Sequence, residues 1–207
     1  MKNKSTTSLQ HSQHLIAGLL KQDCGIEFFG IPETMEVQWL QKGKVHSFKK
    51  LTPGNYAILV NAYISNPEAR KHISCMVDKN GSFISLARQV EIYTYFMYGG
   101  LDGNPDLVND ELQEPENYRH SRDCISLKFK KIKLNGSPLK PREVQMIDLF
   151  MEDDKDDVIA EKMGIAVSTY NQHKKELFTK TGLHTKTAIA VAAVRQRVAR
   201  SFKRQTV

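Results

Sequence analysis

The stretch from Leu139 to about Val194 limits the possible folds more than any other part of the chain. Four runs with apolar residues at helical spacing follow one another there, and their ends are marked by residues that suit helix termini. Leu139-Lys140-Pro141-Arg142-Glu143 opens the first run, with proline in the first turn, where its missing N–H costs nothing. Met146, Ile147, Leu149 and Phe150 supply one buried face. After a polar turn, Val158 to Met163 reads as a short second helix stopped by Gly164. Ile165-Ala166-Val167 then makes a tight turn, and Ser168 to Lys180 forms a third helix ended by Gly182. Thr185 starts a fourth, which runs through Val194.

Two helices joined across a turn of three or four residues, the second polar on its outer face, is the motif that enters the major groove of DNA. The motifs Leu139-x-Pro-Arg-Glu, Ile159-Ala160-Glu161-Lys162-Met163-Gly164-Ile165, Ser168-Thr169, His173 and Lys180-Thr181-Gly182-Leu183 carry a resemblance. This stretch, about a quarter of the chain, is similar to the LuxR/GerE-type (NarL-like) DNA-binding domain of bacterial transcription regulators. The resemblance implies that the third helix lies in the major groove, with Asn171, Gln172 and Lys175 at the base-contacting positions. Those residue types suit base reading, since Asn and Gln can bond adenine bidentately and Lys can bond guanine O6/N7. Thr169, His173, Lys174, Lys180 and Lys186 are then the expected phosphate contacts, which set register rather than sequence preference.

The fourth helix is nearly all apolar from Thr187 to Val194, so packing on its own unit leaves a face to spare. Ala188, Val191 and Ala192 resemble the family's dimer contact, which implies two copies reading half-sites about one DNA turn apart. Packing of that face on the N-terminal region is the alternative. The chain also departs from the family. Asp153 stands where glycine is common, Asp154 where an apolar residue is common, and Asp157 where a basic residue often meets phosphate. Ala166 and Thr181 replace the usual cap and an apolar residue. Aspartates near DNA oppose binding, although carboxylates at the start of a helix favour its dipole.

At 207 residues the chain has room for a second domain, since domains hold roughly 100–200 residues. A net charge of +7 suits a polyanionic partner without requiring one. The distribution says more. Lys128, Lys130, Lys131 and Lys133 precede the helical unit, and Arg195, Arg197, Arg200, Lys203 and Arg204 follow it. Three scattered cysteines, Cys24, Cys75 and Cys124, do not make a secreted disulfide framework. The N-terminus lacks the apolar core of a signal peptide, and no run approaches the roughly 20 apolar residues of a membrane span. These features read as a cytoplasmic, reduced, bacterial protein with no membrane association.

Residues 1–8 read as a disordered tail, and Leu15, Ile16, Leu19 and Leu20 as an amphipathic helix carrying His11 and His14 one turn apart. Ile26 to Gly30 and Met35 to Leu40 are apolar runs that could be strands or buried helix. Pro53-Gly54 reads as a turn between Ser47 to Leu51 and Tyr56 to Val60. Asn66-Pro67 caps a helix expected to reach about Asp78, and Ser82 to Tyr98 reads as a longer helix whose aromatics serve the core.

Gly99 to Asp106 reads as a structural turn with a solvated acidic loop. Asp102, Asp106 and Asp110 are spaced four apart, which fails the calcium-loop pattern. His120 and Cys124 lack the further ligands of a zinc site and the third partner of a catalytic dyad. Ile125 to Lys130 alternates as a strand does. The YGGLD-x-x-PD segment, Tyr98 to Asp106, is similar to LuxR-type regulators of bacterial mobile elements.

The expected fold class is mainly α. A regulatory or interaction domain over 9–134, helical with a few short strands, is followed by a linker at 135–138, the helix-turn-helix unit over 139–194 and a basic tail over 195–207. The expected function is sequence-specific binding of double-stranded DNA by a homodimeric transcription regulator, with no catalytic site, metal or cofactor. The alternative is a protein-interaction module on the same scaffold that contacts RNA polymerase or another regulator.

Overall fold

Both apolar runs near the N-terminus form strands in the computed structural model, which describes residues 25–199. His11, His14, Cys24, Arg200, Lys203, Arg204, the helix expected from Leu9 and the tail expected over 1–8 lie outside the described residues. β1 (Glu27–Ile31) and β2 (Glu36–Gln41) pair antiparallel with Phe28 opposite Trp39. β3 (Lys44–Ser47) adds to β2 through Lys42-Gly43. Both turn residues have positive φ, 49° and 72°, the backbone that matches strand twist in a two-residue hairpin.

Three helices follow: α1 (Pro53–Ile64), α2 (Pro67–Ile73) and α3 (Leu86–Tyr98), of which α3 packs on the sheet while α1 and α2 pack on α3 and on each other. α3 is the centre of the N-terminal core, with Val90 and every residue from Ile92 to Tyr98 buried. It lies close on β1: a Cβ at Gly30 would stand 2.3 Å from a ring carbon of Tyr95, so only glycine fits there. Two short hairpins follow, β4 (Leu107–Val108) with β5 (Glu111–Leu112), and β6 (Lys133–Leu134) with β7 (Ser137–Pro138). The C-terminal helices are α4 (Pro141–Phe150), α5 (Asp156–Lys162), α6 (Val167–Thr181) and α7 (Lys186–Arg195).

The described residues are therefore mainly helical with a few short strands, and the C-terminal unit is a four-helix helix-turn-helix. Two apolar clusters form, one from β1 to Phe129 and one from Ile132 to Ala199. Ile132 lies just before the β6–β7 hairpin and Leu134 within it, yet both belong to the second cluster, as do Val198 and Ala199 after α7.

Several local expectations are corrected. Pro53-Gly54 is not a turn but the start of α1, because Thr52 Oγ1 caps the helix by accepting from Asn55 N at 3.2 Å. The helix that Asn66 caps stops at Ile73 instead of Asp78. Asp78 takes the Asn80 and Ser82 N–H groups and folds a tight turn, with Val77 bridged to Phe83. α3 accordingly starts at Leu86, capped by Ser85, and Phe83 is 74% exposed.

Ile125 to Lys130 is not a strand: Ile125–Lys128 is a short 3-10 helix. Ile125 and Phe129 pack on the first cluster and Leu127 on the second, and a strand would place all three on one face.

The loop expected to be solvated is held by buried carboxylates. Asp106, 4% exposed, accepts from Phe28 N at 2.7 Å. Glu27 Oε1 accepts from Asp102 N and Gly103 N at 2.7 and 2.6 Å, and Glu116 Oε2 from Gly100 N at 2.7 Å. Burial pushes all three carboxyls up, repulsion from neighbouring carboxylates, Asp102 among them, adds to it, and Glu116 reaches about 8. A carboxyl whose folded pKa is raised stays protonated after the unfolded chain has ionised, so stability falls as pH rises from 4.5 towards about 8 and then levels off. Urea unfolding should therefore show lower stability at about pH 8 than at about pH 5, and Glu116→Gln should flatten that decline. An unchanged slope in this variant would place the proton elsewhere.

Candidate nucleic-acid interface

The helix-turn-helix is built by local rules. Lys140 N donates to Glu143 Oε2 at 2.7 Å, closing the entry to α4, and Pro141 takes the first helical position. Gly164 and Gly182 stand at φ +66° and +68°, the left-handed backbone that ends α5 and α6. Thr185 Oγ1 accepts from Ala188 N at 3.0 Å and starts α7. Ala166 precedes α6 without a side-chain cap.

Tyr170 and Leu177 turn one face of α6 into the core, each 0% exposed. Asn171, Gln172 and Lys175 are exposed on its outer side, next to half-buried His173 and Lys174. Gln172 Nε2 donates to Glu176 Oε1 at 3.1 Å, and His173 Nδ1 lies 3.6 Å from Glu176 Oε2. Thr169 is half-buried in the first turn of α6.

Residues 137–193 match the family model of bacterial regulatory proteins, luxR family (GerE). The C-terminal unit is a luxR-family helix-turn-helix domain. No curated protein and no solved structure matches the chain. The match runs from β7 into α7 and stops short of the β1–α3 unit. Among the described residues no helix is long and apolar enough to cross a membrane, and no cluster of three or more His, Cys, Asp or Glu could hold a metal ion.

The departures within the luxR-family domain have physical accounts. Asp153 has φ +56°, a backbone that favours glycine and that aspartate tolerates better than most residues. Asp154 pairs with Lys162 at 2.5 Å, and Glu152 meets Lys162 at 2.7 Å. Thr181, 5% exposed, satisfies its hydroxyl on Leu177 O at 2.8 Å. Asp157 is exposed in the first turn of α5, and its Oδ1 accepts from Val158 N.

All three lysines expected at phosphates are tied to carboxylates of the same domain. Lys180 Nζ is 2.7 Å from Glu143 Oε2. Lys174 pairs with Asp156 and also lies over the Tyr170 ring, 5.2 Å from its centroid. Lys186 Nζ is 3.1 Å from Asp156 Oδ1 and donates to Asp154 O at 2.9 Å. Tyr170 Oη donates to Asp156 Oδ1 at 2.9 Å. Partial burial raises the Asp156 pKa, but bonds from Lys174, Tyr170 and Lys186 outweigh it and hold the carboxyl at about 2. Asp156 is thus the hub of this surface. The sequence displays an acidic turn but not this role, because Asp156, Tyr170, Lys174 and Lys186 are brought together only by the crossing of α5, α6 and α7.

On α7, Val191 is 45% exposed, with Ala188 and Ala192 half-buried beside it. They line a shallow groove of about 560 Å3 with Leu183 and Thr187. His120 and Cys124 do meet: Cys124 Sγ lies 3.3 Å from His120 Nδ1 and 3.0 Å from Ser126 Oγ. Burial opposes thiolate formation, yet bonds from His120 and Ser126 bring the Cys124 thiol down to about 7. Lys130, one of the basic residues that flank the DNA-binding unit in sequence, is buried and donates to Phe96 O and Tyr118 O.

Proposed function

We propose that the chain is a sequence-specific transcription regulator that binds double-stranded DNA as a homodimer, with α6 in the major groove. The observation that carries this reading is the outward placement of Asn171, Gln172 and Lys175 on the recognition helix of a luxR-family domain, while Tyr170 and Leu177 anchor that helix inside. Thr169, His173, Lys174 and Lys180 on the same helix, with Lys186 at the start of α7, supply phosphate contacts. The Ala188, Val191 and Ala192 face joins two copies, so the operator is palindromic, with half-sites about one turn apart. The division of labour follows: residues 9–134 receive a signal, the segment 135–138 connects, residues 139–194 read DNA and the basic residues of 195–207 add electrostatic attraction. The setting is the bacterial cytoplasm.

A second reading has one observation in its favour. Lys174, Lys180 and Lys186 are already paired with Asp156 and Glu143. Such a surface presents less free positive charge to DNA and could instead face RNA polymerase or another regulator.

Selection of duplexes from a random pool, followed by salt titration of the winner, separates the two. An enriched palindrome is expected. Asn171→Ala and Gln172→Ala should each cost about 1–3 kcal/mol and relax specificity at one or two positions, whereas Lys180→Ala should weaken all sequences alike. Binding with no enriched sequence, lost as salt rises, would sink the operator reading and favour the protein partner.

A further inference from the structure

A cavity of about 1,120 Å3 opens where β2 and β3 meet the first turns of α1 and α3. Sites that hold small molecules typically enclose about 300–1,000 Å3, with apolar walls and a few fixed polar groups. Both kinds of surface are present. Phe48 and Tyr56, edge to face with centroids 6.3 Å apart, form an aromatic wall beside Val37.

The polar floor is the pair Arg88–Glu91. Arg88 Nη1 donates to Glu91 Oε2 at 2.7 Å and to Met35 O at 3.3 Å, and Nη2 donates to Thr34 O at 2.6 Å. Glu91 Oε1 accepts from Val37 N at 3.2 Å, which ties the pair to β2. A guanidinium has five N–H groups, so among the described residues Arg88 keeps its Nε hydrogen and one Nη2 hydrogen uncommitted. Its side chain is 28% exposed and lines the cavity.

Charge narrows the guest. Arg88 sits in the first turn of α3, a turn without acidic residues, where a cation adds to the positive end of the helix. Glu91 already occupies one edge of the guanidinium, so a further acceptor meets the two N–H groups left uncommitted, and a carboxylate accepts from such a charged donor more strongly than a neutral group does. On the rim Lys49 and Lys79 are matched by Glu33 and Glu36, so a multiply charged phosphate would gain little over a single charge. We propose that the cavity binds a small amphipathic monocarboxylate, its apolar body against Phe48, Tyr56 and Val37 and its carboxylate on Arg88. This site goes beyond the DNA-reading function and does not depend on it.

The chain contains one tryptophan, and it reports on the site. Trp39 Nε1 donates to Ser47 O at 2.9 Å, and Ser47 lines the cavity. Full-length protein, free of DNA, would be titrated with 4-phenylbutyrate, octanoate and the uncharged 4-phenylbutyramide, following Trp39 fluorescence and heat of binding. At least one of the two acids should bind saturably at about millimolar or tighter concentration, with the amide about tenfold weaker than phenylbutyrate. Ala87→Phe places a ring in the cavity without removing any of its polar groups and should weaken binding while the thermal transition is kept. Arg88→Gln should bring acid and amide to the same affinity.

Three results would each overturn the proposal: neither acid giving a saturable change, the amide matching the acid in wild type, or Ala87→Phe binding as wild type does. None of them bears on operator recognition, which is read by duplex selection.

Discussion

Replacing Arg119 with methionine should lower stability by about 3–5 kcal/mol, the cost of leaving a buried charge without its partner. Arg119 is 1% exposed, and its guanidinium grips Asp148 on α4 with two bonds, 3.0 and 2.7 Å. The same group donates to Val198 O at 2.6 Å and Arg122 O at 3.2 Å. One side chain from the segment after β5 thus holds the first helix of the luxR-family domain and the stretch of chain beyond α7. Burial pushes the Asp148 carboxyl up and the Arg119 bonds pull it back, so without the guanidinium that carboxyl would take up a proton more readily.

The thermal midpoint of Arg119→Met should fall by about 6–20 °C, at roughly 2–4 °C per kcal/mol for a chain of this size. The deficit should shrink as pH falls, because the raised Asp148 carboxyl takes up a proton and the buried charge disappears. The double variant Arg119→Met/Asp148→Leu should recover most of the loss, because an apolar pair of similar size avoids the desolvation cost. A single variant within about 1 kcal/mol of wild type would show that Arg119 is not what holds α4 and the stretch beyond α7.

DNA affinity should rise in Asp156→Asn. The carboxylate now neutralises Lys174 and Lys186, two of the lysines assigned to phosphates. An amide at this position still accepts from Tyr170 Oη, so the packing of α5 on α6 is kept while the charge is removed. Two freed lysines should steepen the dependence of log K on log salt by nearly two units and tighten binding about tenfold at low salt. The gain should fade as salt rises, and base preference should not change, since phosphate contacts carry no sequence information. Unchanged affinity with an unchanged salt slope would mean that Lys174 and Lys186 brace the fold and do not touch DNA. The acidic turn would then be structural, in keeping with the pairing of Asp154 and Glu152 to Lys162.

Much of the C-terminal unit is legible in the chain because its signals are local. Pro141 at a helix start, Gly164 and Gly182 at positive φ, Thr185 as a cap and the apolar spacing of α4 each act within a few residues. A family match over 137–193 agrees with that reading. The N-terminal unit is less legible where a local signal has two meanings. Thr52-Pro53-Gly54 can be a turn or a helix start, and the choice falls to α1 packing on α3 through Leu59 and Tyr63. Ile125 to Phe129 alternates as a strand does, but its apolar residues serve two cores, which a single strand face cannot do.

Charge behaves in the same way. The sequence alone establishes which residues are basic or acidic, and it establishes the polar outer face of α6. The partner of each charge depends on elements far apart in the chain. Lys130 turns inward to backbone carbonyls, Asp106 is buried under β1, and Asp156 is set between α6 and α7. Helix ends are fixed by bonds that close within one turn of chain, whereas an ion pair depends on which surfaces apolar burial presses together.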